Sequence, residues 1–297
     1  MATNSLGTTN ANVIAQRALE ILVADYSFLR NAVTDFSDEA AKYGASIYTA
    51  RLSALTAADY SQANGYVNSA ITQDDVSIAL NKFKHVSYAV DDLERTSSNV
   101  NLIERFAGAA AHAIGLQMVG DLLTLVTSTS FTSALTQSSA TFTYASVVSA
   151  GILLNNNNVP QHDRYAVLLP SYYGRLLNDT TIIANAQITG EQARTAGVGQ
   201  VAGFNINMYS AVPSNSITLG GLFAQKEALV IAARVPEIPT GINIPGNISV
   251  VTEPRTGLSI QIRESYSITS GLLQRTYALM YGCKAGETKS LVRINGS

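Results

Sequence analysis

The stretch FKHVSYAVDDLERTSSNVNLIERFAGAAAHAIGLQMVGDLL, residues 83–123, decides how the rest of the chain is read. His85 to Val90 alternates polar or small with larger apolar residues, the two-residue period of a half-buried strand. Asp91-Asp92-Leu93-Glu94-Arg95 closes that strand with charge. Asn101, followed three residues later by Glu104, has the form of a capping box. Leu102, Phe106, Ala109, Ala113, Leu116, Gly120 and Leu123 then recur at alternating spacings of four and three. This predicts a helix on the order of 35 Å long. Small residues at the centre of its stripe let another backbone or a sheet approach closely. The pattern lasts only about three heptads and lacks paired flanking charges, so a helix laid on a sheet is expected rather than a coiled coil.

Toward the N-terminus, residues 1–10 are small and polar and read as a loose arm. Ile14, Ala18, Ile21, Leu22 and Leu29 fall on helical spacings, predicting a helix from Asn12, a candidate cap, to about Arg30. Ile47–Leu52 alternates as a strand, and Val76–Leu80 reads as a second. Between them Ser53–Thr72 carries Gly65, Asn64 and Asn68 with little periodicity. Two strands joined this way suggest a protruding hairpin, and connections of that length tend to be functional.

Toward the C-terminus, Tyr144–Leu154 reads as helix, residues 155–160 as loop and Tyr165–Leu169 as a buried strand. Pro170 and the residues to Leu177 suggest a short helix capped by Ser171. Phe204, Ile206 and Met208 alternate with Asn205 and Asn207, a half-buried strand in an α/β or α+β subdomain. Pro236, Pro239, Pro245, Gly241 and Gly246 mark a linker. Ile248–Glu253, a turn at Pro254–Gly257, the alternating Leu258, Ile260 and Ile262, and Leu272–Tyr281 predict an antiparallel meander with one polar face. No internal repeat of fixed period is evident.

Composition narrows the function. The 297 residues are 46% hydrophobic, which excludes global disorder, yet only 13% are charged, against about 25% in ordinary globular chains. No Asp, Glu, Lys or Arg occurs between Asp121 and Asp163, or between Arg194 and Lys226. Charge normally keeps a monomer soluble and unassociated, so a polar but uncharged exterior suits a protein that buries its outside against neighbours. A secreted or surface β-protein is the compositional alternative. The net charge of −2 argues against a basic nucleic-acid-binding face, and the single Cys283 excludes an internal disulfide framework and any zinc-type cysteine cluster. The N-terminus has no positive region leading into an apolar one, so no secretory signal is expected. The apolar stretch Phe106–Gly120 reads as too short to span a bilayer, and no membrane partner is expected.

The usual chemistries find no foothold. His85 and His112 read as structural or surface residues, and His162-Asp163 lacks a third metal ligand nearby. No Gly-x-Ser-x-Gly elbow is present. Gly197, Gly199 and Gly203 have the wrong spacing for a nucleotide loop and lead into a strand, so no helix dipole would face a phosphate. Asp74-Asp75 and Asp91-Asp92 are adjacent strand residues that point to opposite faces, which favours solvated or ion-paired roles. No catalytic, cofactor-binding or metal residues are assigned, and no cofactor is expected.

The order of parts resembles that of the tailed-bacteriophage major capsid protein family, with its Hong Kong ninety-seven-like fold. Local likeness lies in Phe83–Glu94, Arg164–Pro170, Val201–Ile206, Gly220–Leu229, Thr256–Arg263 and Tyr281-Gly282. The resemblance implies an α+β phage-capsid fold with an N-terminal arm at 1–50 and an extended loop hairpin at 51–81. A peripheral domain at 82–140 and 236–297 would hold the long spine helix, and an axial domain would occupy 141–235. It implies a shell subunit, not an enzyme, that self-assembles into pentamers and hexamers of an icosahedral head enclosing double-stranded DNA, which it contacts weakly. Its implied location is the virion, after assembly in the host cytoplasm. Implied partners are many copies of itself, scaffolding and portal proteins, and a possible decoration protein. Some members of the family join subunits through a Lys–Asn isopeptide bond from the extended loop; Ser53–Leu80 contains no Lys, so a non-covalent shell is expected. No large N-terminal scaffolding extension is seen, which implies a separate scaffold or a cleaved precursor. A prokaryotic nanocompartment shell and a surface adhesin or S-layer-type protein are the alternatives.

Overall fold

The computed structural model describes residues 27–52, 57–63, 65–66, 73–97, 102–179, 199–238, 247–252 and 256–296. In chain order the strands are β1 (Val33–Ala41), β2 (Ser46–Leu52), β3 (Gln73–Ala79), β4 (Lys82–Asp91), β5 (Ala134–Thr136), β6 (Arg164–Leu168) and β7 (Gln200–Val201). They continue with β8 (Phe204–Met208), β9 (Leu219–Gln225), β10 (Leu229–Pro236), β11 (Asn247–Thr252), β12 (Ser259–Ser267), β13 (Leu272–Ala285) and β14 (Leu291–Asn295). The helices are α1 (Asp92–Ser97), α2 (Leu102–Leu123), α3 (Tyr144–Asn156) and α4 (Pro170–Leu177).

β13 organises the first sheet. Leu272–Ala278 pair with β4 and, from residue 272 to 278, with β12, so those two strands flank β13 on opposite edges. Met280 and Tyr281 pair with both β4 and β10, so β10 follows β12 along the same edge. Buried Gln261 closes the junction, its Nε2 donating to the Pro236 carbonyl 2.9 Å away at the end of β10. β11 extends this sheet beyond β12, and β1 lies parallel to β10. Arg234 pins β1 in place, donating to the Asp35 carbonyl at 2.9 Å and to its Oδ1 at 3.0 Å. The expected meander is therefore present and antiparallel, but its polar face is not uniformly exposed. Ser259 and Gln261 are buried because β10 abuts that end of β12.

The second sheet runs β5-β14-β9-β6-β8-β7. β6 is buried along its whole length. Its Tyr165 and Val167 join the main core, while Ala166 and Leu168 pack with Val147 and Leu154 of α3 and Leu176 of α4. A strand covered on both sides needs a continuous apolar run, which is what the sequence shows. α4 starts with Pro170 at its first position after Leu169, not with the expected Ser171 cap; the missing proline N–H is one that a helix start leaves unpaired anyway. The strands are shared between sheets differently from the expected division. β10 lies in the first sheet although 141–235 was expected to stand apart, while β5 and β14 lie in the second.

α2 forms as its length and composition require, and packs on the first sheet, but through a different face. Ala107, Ala110, Ala111, Ile114, Met118, Val119 and Leu122 are buried, whereas Phe106, Ala109, Ala113 and Leu116 of the expected stripe are exposed. The centre of this helix is apolar nearly all round, so periodicity alone does not choose its inner face. Phe106–Leu123 is long and apolar enough to cross a membrane, contrary to the shorter stretch expected, yet 56% of it is buried within the protein. The C-terminal end of α2 lacks a basic residue; the Asn215 amide serves instead, donating to the carbonyls of Leu123 at 2.9 Å and Val126 at 2.7 Å. Asn215 does so from the left-handed region, at φ +48°, which asparagine tolerates better than most residues. The expected Asn12–Arg30 helix lies outside the described residues except at its end, where Ser27–Asn31 form a 3-10 turn. Phe28 and Leu29 of that turn join the main core. Asn101 and the linker residues Pro239, Gly241, Pro245 and Gly246 also lie outside the described residues.

Candidate assembly surfaces

The two faces of the first sheet have different fates. Toward α2, Tyr277, Leu279 and Tyr281 of β13 and Ile260 and Ile262 of β12 enter one large core. On the opposite face lie Met280, Gly282 and Lys284 of β13 with Val230 and Ala232 of β10, and the hairpin β2–β3 covers them. Ile78 and Leu80 are buried there against Val230, Ala232 and Met280. Gly282 makes this approach possible, because a Cβ at that position would stand 2.2 Å from the Ala79 carbonyl oxygen. Lys284 Nζ donates to the Ser77 carbonyl at 2.9 Å, and Tyr43 Oη donates to that of Asn81 at 2.6 Å.

Away from this root the hairpin has no layer beneath it among the described residues. Tyr48 and Tyr60 are exposed, and Tyr66 is 89% exposed, with the rings of Tyr60 and Tyr66 5.0 Å apart. A two-stranded ribbon is at best marginally stable alone in water, so the packing of its root on the first sheet matters to its stability.

Among the described residues part of the same sheet face is uncovered. Phe83, His85, Ser87, Arg263, Gln274, Thr276 and Ala278 line a shallow groove of about 320 Å³. Its floor is knitted by Ser87 and Thr276, whose hydroxyls lie 2.8 Å apart, and by Gln274 Nε2 donating to Ser87 Oγ at 3.1 Å. α2 also leaves apolar side chains partly exposed among the described residues: Leu116 is 42% exposed, and Phe106, its ring 5.3 Å from that of Tyr88 on β4, is 41% exposed.

Between these surfaces Asp121, Lys82, Arg275 and Glu264 are engaged in holding the fold. Asp121 on α2 accepts from Tyr281 Oη at 2.7 Å and Gln117 Nε2 at 3.1 Å, and Lys82 Nζ lies 3.2 Å away. Burial by itself raises the carboxyl pKa, but the bonds from Tyr281 and Lys82 outweigh it and hold Asp121 below its usual value. The cluster ties α2 to β4 and β13. Burial pushes the nearby Cys283 thiol up to about 12, the Lys82 charge opposing that shift and the Asp121 charge adding to it. Arg275 and Glu264 pair across β12 and β13 at 2.9 Å.

The sequence-derived candidates are scattered. His85 lines the open groove, His112 is exposed on α2, and His162 lies exposed with its Nδ1 3.4 Å from Asp163. Asp92 accepts from Tyr266 Oη at 2.5 Å. Asp74 and Asp75 stand at register positions opposite Arg51 and Ala50. Gly197 lies outside the described residues; Gly199 directly precedes β7 and Gly203 lies in the turn between β7 and β8, neither at a helix start. Among the described residues no group of three His, Cys, Asp or Glu side chains could hold a metal ion. Sequence reasoning missed the open groove, because its lining comes from three strands that only the pairing brings together.

The sequence matches no protein-family model and no curated protein. Solved structures are similar in fold. A capsid structure of the cyanophage P-SCSP1u shares 11% identity and a TM-score of 0.65, over 90% of this chain and 86% of that one. A structure from Mycobacterium phage Che8 shares 18% identity and a TM-score of 0.56, over 86% of each chain. The virus-like particle from Pyrococcus furiosus shares 10% identity and a TM-score of 0.54, over 94% of this chain and 96% of that one.

Proposed function

We propose, from the premise that the chain has the Hong Kong ninety-seven-like fold found in phage capsids, that it is a major capsid subunit. In this reading it assembles into pentamers and hexamers of an icosahedral head around double-stranded DNA. The observation that carries the reading is the half-covered face of the first sheet: among the described residues a hairpin, a groove and part of α2 are left uncovered at once. One tile meeting several neighbours needs several such surfaces, and many weak contacts per copy close a symmetric assembly.

The first sheet with α2 is then the peripheral domain, and the second sheet with α3 and α4 the axial domain around capsomer centres. β2–β3 is the extended loop and the residues before it are the arm. Because Ser53–Leu80 holds no Lys, the shell is held together non-covalently. Scaffolding and portal proteins, with a possible decoration protein, complete the partners in the virion. Contact with the packaged DNA is weak, as a net charge of −2 suits. The alternative, a nanocompartment shell, is supported by similarity to the Pyrococcus furiosus virus-like particle and differs in contents, not in the tile.

Electron microscopy of the purified full chain tests the reading. Closed icosahedral particles that boil in detergent to monomer alone are expected. A chain that stays monomeric at every concentration overturns the reading, and a ladder of covalent multimers overturns the non-covalent shell. Nucleic acid inside native particles supports the phage head; enzyme cargo supports the alternative.

A further inference from the structure

An open sheet ends in unpaired N–H and C=O groups, and chains that must stay apart guard those ends with charge, proline or bulges. The first sheet guards two of its outer strands. β1 carries Asp35, Asp38 and Glu39, and its register shifts between Phe36 and Ala40. β4 carries Lys82, Lys84 and Asp91. The six described residues of β11 carry no such guard. Its six residues, Asn247-Ile248-Ser249-Val250-Val251-Thr252, contain no charge and no proline and pair with β12 in unbroken register. β11 has no strand on its other side among the described residues, and Val250 is 38% exposed.

We propose that β11 is a strand-pairing edge through which two copies of this chain join their first sheets, antiparallel about a two-fold axis. Two observations commit the occupant to a second copy. In such a pair each side chain lies opposite its own counterpart or a neighbour an even number of positions away, because only those share a face. Any charge in the strand would therefore sit close to its own image, and β11 has none.

The partner must also bring a free edge of matching character. Among the described residues, the other outer strands of useful length all carry charge: β1, β4, β2 through Arg51, and β3 through Asp74 and Asp75. The end strands of the second sheet, β5 and β7, have only three and two residues. With Val250 on the axis, Ile248 faces Thr252; with Ser249 on the axis, Ile248 faces Val250. Both registers set β-branched side chains against each other, the cross-strand pairing that sheets favour.

This inference needs only that copies associate, so it stands apart from the shell reading. Its test uses the full chain with Cys283→Ser and one new cysteine, at Ser249, at Val250 or at the control Ile268, which is 89% exposed in the β12–β13 turn. Mild oxidation of associated protein should give a covalent dimer from Ser249→Cys or Val250→Cys, whichever lies on the axis. That dimer should form at least about tenfold faster than any from Ile268→Cys. Absence of that dimer in associated material, or equal reaction at residue 268, overturns the proposal. Val250→Lys sets two cations together and should raise the concentration needed for association at least about tenfold, with the subunit's melting unchanged. Unchanged association overturns it; should that variant not fold, the cysteine result decides. Particles without a β11 cross-link overturn the proposal and leave the shell reading. A β11-linked dimer that never closes into particles does the reverse.

Discussion

One face of the first sheet is closed and the other is half open, although the same strands build both. On the closed face, Leu279, Tyr281 and Ile262 are covered by α2 and the rest of the main core. On the open face, the hairpin root covers Met280, while Phe83, His85, Arg263 and Gln274 line a groove. Burial is thus concentrated on one side of β13, and part of the other side is uncovered among the described residues.

The contrast can be broken from the closed side first. Leu279→Ala removes a fully packed side chain and should cost about 2–5 kcal/mol, read as a lowered denaturant midpoint. Gly282→Ala should cost about 1–3 kcal/mol, because the new methyl meets the Ala79 backbone and the hairpin must lift. Faster proteolysis in residues 53–72 would accompany it; unchanged cleavage there would show that the root is not what seats the hairpin.

Acid offers a finer test. The Asp121 pKa is depressed on folding, so its contribution is full above the unfolded value of about 3.9 and is lost as pH falls through the folded one. Asp121→Asn should therefore flatten the stability-against-pH curve below about pH 4. An unaltered acid limb would remove this carboxylate from the network. The smallest effect on folding belongs to the open face. Phe83→Ala should change subunit stability by no more than about 0.5 kcal/mol while weakening association, and light scattering against concentration separates the two.

Local patterns in the sequence disclosed much of the fold. Alternation located β4, β8 and β12, a continuous apolar run located β6, and spacings of four and three located α2. Residues 1–26 and most of the hairpin connection lie outside the described residues, so the expectations placed on them stand as proposals. The candidate assembly surfaces were far less legible. Which side of α2 is buried was hidden by an almost uniformly apolar circumference. The groove was hidden because Phe83, Arg263 and Gln274 are remote in sequence and meet only through strand pairing. The role of Gly282 was hidden because nothing local to it requires a glycine; a strand more than 200 residues earlier does.

By itself the sequence determined the elements, the scarcity of charge and the absence of any recognisable catalytic motif, because propensity, periodicity and composition act over a few neighbouring residues. Tertiary structure alone decided which faces are covered, which strands lie at the sheet edges among the described residues, and where Asp121 finds its partners. Those outcomes depend on contacts between segments far apart in the chain, and burial, unlike periodicity, belongs to the assembled whole.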